Sequence, residues 1–303
     1  VAKSYIIYRY EHAKLREEKV EEVQKKIEER GLLSTKKDGS KEIFSIDRIQ
    51  KTLDASVLPE SRASVDTGAI IAQVQREIYD GITSQELERT LIMVVRSLIE
   101  RDPAYSALAA QLALNVIYAD AFRDSSVSIA SPHFADTYRA SFVDNLKRGV
   151  ELKLYDERLL TFDLARVAQA IDPTRDQLLR YLGVATLQDR YFVKDIATKK
   201  YLEAPQHFWM RVAIGVALAE KENREEWAIQ FYNVISKLHF VPSTPTLFHA
   251  GLPHPQLSSC YLNVVEDDLE HIFKVYGDNA QLSKWAGGIG TSWSKLRATG
   301  ALI

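Results

Sequence analysis

Cys260 is the single thiol of the chain. It follows Ser258 and Ser259 where a proline-rich loop gives way to the strand-like run Cys260-Tyr261-Leu262-Asn263-Val264-Val265. A thiol held at such a junction by rigid backbone can be placed beside a ligand and react through its thiolate, although most free cysteines are small buried hydrophobes. Gly287-Gly288-Ile289-Gly290 has few side chains to keep backbone N–H groups from a phosphate or sugar. It fits neither a Walker loop nor G-x-G-x-x-G, and a tight turn without a ligand explains it as well. Asp267, at an expected helix start, and Arg297 could grip the hydroxyl and phosphate parts of a nucleotide, or be a cap and a surface charge. Lys36, Lys37, Glu42 and Arg48 make a small basic turn ahead of a helix, suited to polyphosphate or simply solvated. The histidines show no metal-ligand spacing, so no metal is expected.

The elements that must position these residues are mostly helical. Residues 2–30 read as helix, with opposite charges alternating at helical spacing from Lys14 onward, and Gly31 stops them. The turn Lys37-Asp38-Gly39-Ser40 separates two segments able to pair as a hairpin, and Ser45-Ile46-Asp47 looks like a cap for a helix to about residue 55. Helices are expected over 64–79, 84–100 and 103–123. The second opens on Ser84-Gln85-Glu86-Leu87, close to a capping box. Residues 124–128, small and polar, are the linker candidate. Helices over 136–149, 157–170 and 176–182, a hairpin of 190–193 with 200–202, and helices over 205–221 and 224–238 follow. After a loop rich in Pro, Gly, Thr and His come the strand at Cys260, a helix opened by Asp267-Asp268, and the glycine turn, the order in which an α/β domain starts.

The 303 residues suggest about two domains. Thirty-nine Lys and Arg against 41 Asp and Glu leave a net charge of −2, which argues against nucleic-acid binding by a basic face. No apolar run approaches the roughly 20 residues of a membrane span, and one cysteine precludes an internal disulfide and suits a reducing, cytoplasmic setting. The chain opens at Val1 without Met and closes on Thr299-Gly300-Ala301-Leu302-Ile303, so a piece of a longer protein is expected.

Several of these motifs, taken in order, resemble one family. Pro242-Ser243-Thr244-Pro245-Thr246-Leu247-Phe248-His249-Ala250-Gly251, Pro255-Gln256-Leu257-Ser258-Ser259-Cys260-Tyr261-Leu262, Gly287-Gly288-Ile289-Gly290 and Leu296-Arg297-Ala298-Thr299-Gly300 look like the large catalytic subunit of class I ribonucleoside-diphosphate reductase. The resemblance implies a mainly α chain. Residues 1–31 would end a preceding ATP-cone, 32–124 an ATP-cone-like helical domain, 125–239 the reductase N-terminal helical domain, and 240–303 the beginning of a ten-stranded α/β barrel.

The same resemblance implies that Cys260 is the first of a redox pair reducing the ribose 2′ position. Thr244 and Ser259 would line the substrate's diphosphate and ribose, and Gly288 would let backbone close over it. Asp267 and Arg297 would belong to the specificity site for ATP or a deoxynucleoside triphosphate. Lys36, Lys37, Glu42 and Arg48 fit one half of the cone's nucleotide pattern. The run Ala113-Leu114-Asn115-Val116-Ile117-Tyr118-Ala119 departs from the other half, lacking its His and Lys. Thioredoxin or glutaredoxin would be the reductant, a separate small subunit would hold the radical cofactor, and the large subunit would self-associate. With one cysteine the chain alone is expected to be inactive. The competing readings are a non-catalytic nucleotide-binding regulatory or assembly module, and a cobalamin-dependent reductase.

Overall fold

The computed structural model describes residues 8, 14, 33–36, 39–124, 127–285 and 287–301. The helix expected over 2–30, with its link to a preceding cone, lies outside the described residues apart from Tyr8 and Lys14, both helical. The chain divides into two compact units, Val1–Val116 with Leu179–Ala185, and Ile117–Leu178 with Thr186–Ile303.

In the first unit the expected hairpin forms. β1 (Leu33–Thr35) pairs antiparallel with β2 (Lys41–Ile43). Gly39, at φ +81°, makes the turn that side-chain-bearing residues resist. Four helices follow: α1 (Ile46–Ser56), α2 (Thr67–Glu77), α3 (Ser84–Ser97) and α4 (Ala104–Ala121), whose residues from Ile117 onward belong to the second unit. Ser45 sits at the N-cap of α1, yet its hydroxyl makes no capping bond. The capping box of α3 starts one residue earlier than expected. Thr83 accepts from the Glu86 N–H while Glu86 accepts from the Thr83 N–H, a reciprocal pair that satisfies two otherwise orphaned donors. Ile49 and Leu53 of α1, Ile70 and Val74 of α2, Leu91, Val94 and Val95 of α3, and Leu108 and Leu112 of α4 pack into one core. Each such side chain fully removed from water contributes about 1.5–3 kcal/mol.

In the second unit α5 (Phe134–Glu151) precedes a stretch expected to be a single helix. It is instead a 3₁₀ turn (Glu157–Thr161) and α6 (Leu164–Gln169), because Asp163 leaves the helical conformation to cap α6 through the Arg166 N–H. The helix expected over 176–182 likewise divides, into a 3₁₀ helix (Pro173–Leu178) and α7 (Tyr181–Thr186), which up to Ala185 belongs to the first unit. A π-helical turn, Leu187–Tyr191, follows, and the second expected hairpin reduces to one antiparallel bridge, Lys194 to Tyr201. α8 (Pro205–Ala217) is buried on nearly every side and packs against α9 (Arg224–Ser236). Within the loop that follows, Thr244–His249 forms a short helix, α10.

The chain then runs through β3 (Cys260–Val264), α11 (Leu269–Lys284) and β4 (Gly288–Ser292). Here the expected glycine turn is corrected, since Gly288-Ile289-Gly290 is strand and pairs in parallel with β3 from Cys260 opposite Gly288 to Val264 opposite Ser292. A parallel pair needs a crossover, which α11 supplies. Asn263, Asn279 and Thr291 close a triangle of hydrogen bonds, 2.6, 3.0 and 2.9 Å, that ties β3, α11 and β4 together. The architecture is therefore the expected one, helical domains followed by the start of an α/β barrel. Among the described residues no helix is long and apolar enough to cross a membrane, and no group of three or more His, Cys, Asp or Glu could hold a metal.

Candidate functional site

Pleating puts alternate residues of β3 on opposite faces. Cys260, Leu262 and Val264 are exposed, while Tyr261 and Asn263 are half-buried. Cys260 is a free, exposed thiol, not a buried apolar filler. Ser259 donates from its hydroxyl to Cys260 Sγ at 3.6 Å, and the Gly288 N–H donates to the Ser259 carbonyl at 2.7 Å. Ser259, Cys260 and Gly288 thus meet at the start of the parallel pair, although Gly288 follows Cys260 only after the whole of α11. A Cβ on Gly288 would stand 2.9 Å from the Ser259 carbonyl and 3.9 Å from Cys260 Sγ. The missing side chain therefore keeps the thiol's surroundings open.

Thr244 is the first residue of α10, and its Oγ1 lies 3.2 Å from the Tyr191 hydroxyl. Tyr191 also stacks on Phe248 of the same helix, with ring centroids 4.7 Å apart. Sequence patterning did not single out Tyr191, which belongs to the π-helical turn, a distortion often found near functional sites.

The end of α10 is anchored from inside. Arg211, 1% exposed, donates from Nε to Glu203 Oε1 at 2.5 Å and from Nη1 to the Ala250 carbonyl at 2.6 Å. Glu203 Oε2 accepts the Val193 N–H at 2.9 Å. Gly215 lets α8 approach Gly251 closely, for a Cβ there would lie 2.2 Å from the Gly251 nitrogen. This buried pair was missed because its members are a charged residue at helical spacing and an acid in a loop, a pattern that usually means solvated surface.

At the carboxyl ends of β3 and β4, Arg297 Nε donates to Asp267 Oδ2 at 2.6 Å and Lys295 Nζ pairs with Glu266 Oε1 at 2.5 Å. The expected pair Asp267 and Arg297 is therefore together. Asp268, not Asp267, caps α11, accepting the His271 N–H at 2.8 Å. In the first unit Glu42 of β2 joins Lys36, at 3.0 Å, and Arg48. The Lys36 hydrogen bond, with Arg48 adding to it, holds the Glu42 carboxyl below the usual carboxylate range. Lys37 lies outside the described residues.

A buried polar cluster sits elsewhere in the second unit. Asp176 accepts from Tyr118 at 2.7 Å, Tyr138 at 2.9 Å and Gln206 at 2.8 Å, and burial pushes its carboxyl up to about 7. Burial lowers the neighbouring His207 to about 4. The bonds join α4, α5, the 3₁₀ helix at Asp176 and α8, which makes the cluster a structural clamp.

Residues 34–117 match the ATP cone domain, 177–255 the all-alpha domain of ribonucleotide reductase and 258–303 its barrel domain. The chain is 41% identical over 306 aligned residues to the ribonucleoside-diphosphate reductase subunit alpha of Chlamydia muridarum, covering all of this chain and 28% of that protein. It is 34% identical to the Helicobacter pylori (strain ATCC 700392 / 26695) subunit alpha and 32% to the large chain of Schizosaccharomyces pombe, each covering 88% of this chain and 32% of the relative. The chain thus spans about a third of the length of these relatives. It belongs to the ribonucleotide reductase large-subunit family, of which it carries the ATP cone, the all-alpha domain and the first part of the barrel.

Proposed function

We propose that the chain is the N-terminal part of a class I reductase large subunit that converts ribonucleoside diphosphates to deoxyribonucleoside diphosphates by radical chemistry, for deoxyribonucleotide synthesis in the cytoplasm. The observation that carries this reading is the exposed Cys260 thiol, paired in register with a side-chain-free Gly288 and flanked by the Ser259 hydroxyl. In the proposed reaction the ribose 2′-hydroxyl leaves as water, and two thiols supply two electrons and two protons and end as a disulfide. Cys260 is one of them. The chain's single cysteine means the partner thiol is contributed by residues outside these 303, so we expect the isolated chain to be inactive.

Thr244 and Ser259 would hold the diphosphate and ribose through their hydroxyls, and Gly288 would admit the sugar beside the thiol. Thioredoxin or glutaredoxin would return the disulfide to thiols, and a separate small subunit would hold the radical cofactor. Asp267 and Arg297 would take ATP or a deoxynucleoside triphosphate as specificity effector. Self-association of large subunits is supported by α11, whose Leu269, Phe273 and Tyr276 lie at helical spacing and are each more than half exposed.

The test is Cys260→Ser in the full-length reductase that carries this chain, assayed with small subunit and thioredoxin. Loss of thioredoxin-dependent turnover is expected, and full retention would eliminate the redox assignment. A second reading, a nucleotide-binding regulatory module without catalysis, is favoured by one observation, the convergence of Lys36 and Arg48 on Glu42. It predicts nucleotide binding that survives Cys260→Ser together with unchanged function.

A further inference from the structure

We infer that Lys295 is a second phosphate-binding cation of the effector site, and that Glu266 is its built-in competitor, a carboxylate that an incoming triphosphate must displace. This deepens the effector-site reading of Asp267 and Arg297 and rests on it.

Lys295 and Arg297 lie in one short segment after β4, and Glu266 and Asp267 in the segment after β3. Each cation meets its own acid, Lys295 with Glu266 at 2.5 Å and Arg297 with Asp267 at 2.6 Å. The Val265 N–H donates to the Ser292 carbonyl at 2.9 Å, so the strand ends that launch these segments are fixed to each other. The carboxyl ends of parallel strands are where α/β sheets receive ligands, and the positive end of α11 opens on the same side. The remaining facing groups are Asp268, committed to the His271 N–H, and His271, whose Nδ1 accepts the Glu266 N–H at 3.2 Å.

The two ion pairs are not equally held. Arg297 and Asp267 are about a third exposed, and Arg297 Nη2 also donates to the Asp267 carbonyl at 3.3 Å. Lys295 and Glu266 are 56% and 49% exposed. Exposed pairs hold their partners weakly, so the Lys295 pair is the one a polyphosphate exchanges most readily. An ammonium serves as a point charge for phosphate. Removing Glu266's charge should free it, and removing the ammonium should cost the ligand one charge-assisted contact.

The experiment measures binding of dTTP and of inorganic tripolyphosphate to the 303-residue chain by calorimetry. An Arg48→Met background weakens the first unit's basic turn as a competing anion site. Lys295→Met is expected to weaken both probes by about tenfold, the effect of one charge-assisted hydrogen bond, and Glu266→Gln to tighten both. Lys274→Met, which breaks the exposed Lys274–Asp278 pair of α11, is the surface-charge control and should leave both unchanged. Saturable binding that Lys295→Met and Lys274→Met alter equally, or that Glu266→Gln fails to tighten, overturns this proposal alone. A Lys295 effect on dTTP that tripolyphosphate does not share overturns the assignment to phosphate. Absence of saturable binding in the Arg48→Met protein overturns the effector-site reading itself, and the proposal with it.

Discussion

Replacing Arg211 by methionine removes a guanidinium that is 1% exposed and bonded to Glu203 and to the Ala250 carbonyl. Methionine nearly fills the volume, so the dominant effect is electrostatic. Glu203, 2% exposed, keeps its bond from the Val193 N–H but loses its counter-charge. An uncompensated buried charge of this kind costs about 3–5 kcal/mol, whereas replacing both members of a buried pair by groups of similar shape is often close to neutral. For a unit of this size, about 4 kcal/mol lowers the melting temperature by about 8–16 °C. The assay is thermal unfolding, at pH 7, of the parent, Arg211→Met, Glu203→Gln and the double variant. The double variant should be less destabilised than the sum of the singles, with a coupling of at least about 1 kcal/mol. A loss below about 1 kcal/mol for Arg211→Met, or simple additivity, would refute the claim that this pair anchors the end of α10 from within.

Two further outcomes follow from other parts of the second unit. Asp176, raised from 3.8 to about 7, adds stability that is complete below about pH 4 and is lost as pH rises toward 7. His207, lowered from 6.5 to about 4, adds stability that is present above about pH 6.5 and lost as pH falls toward 4. Their slopes oppose between about pH 4 and 6.5, so Asp176→Asn should leave a stability that climbs with pH across that window in urea titrations; an unchanged pH profile would falsify the assignment. Gly215→Ala drives a Cβ to 2.2 Å from the Gly251 nitrogen, a backbone atom that cannot swing away. It should cost about 1–3 kcal/mol by denaturant midpoint, and a neutral result would mean that α8 and the Gly251 turn separate freely.

The helices were legible because their own residues state them. α3 shows apolar Leu91, Val94, Val95 at helical spacing and a polar start, and only the exact cap was displaced by one residue, from Ser84 to Thr83. The 3₁₀ turns were not legible from periodicity, and the local cap at Asp163, which accepts the Arg166 N–H three residues on, was passed over for the longer helical spacing of 157–170. Strand β4 was misread for a clear reason: glycine disfavours strand on local grounds, but here the neighbours demand it. A Cβ on Gly290 would meet Leu262 at 2.8 Å, and one on Gly287 would meet the Tyr261 ring at 2.9 Å. Of the candidate site, Cys260, Ser259 and Gly288 were named from their motifs, yet their meeting is a pairing across α11 that no local spacing encodes. Tyr191 was missed because it matters only through Thr244 and Phe248, distant in sequence, and Glu203 because an acid in a loop usually means solvated surface.

The central claim is that Cys260 gives up electrons to the substrate. The most direct measurement uses the full-length reductase, fully reduced, with small subunit and ribonucleoside diphosphate but no external reductant, followed by peptide mapping of its thiols. The account predicts that Cys260 becomes disulfide-bonded in proportion to deoxyribonucleotide formed, and stays free when substrate is omitted. Deoxyribonucleotide formed while Cys260 remains a free thiol would contradict it.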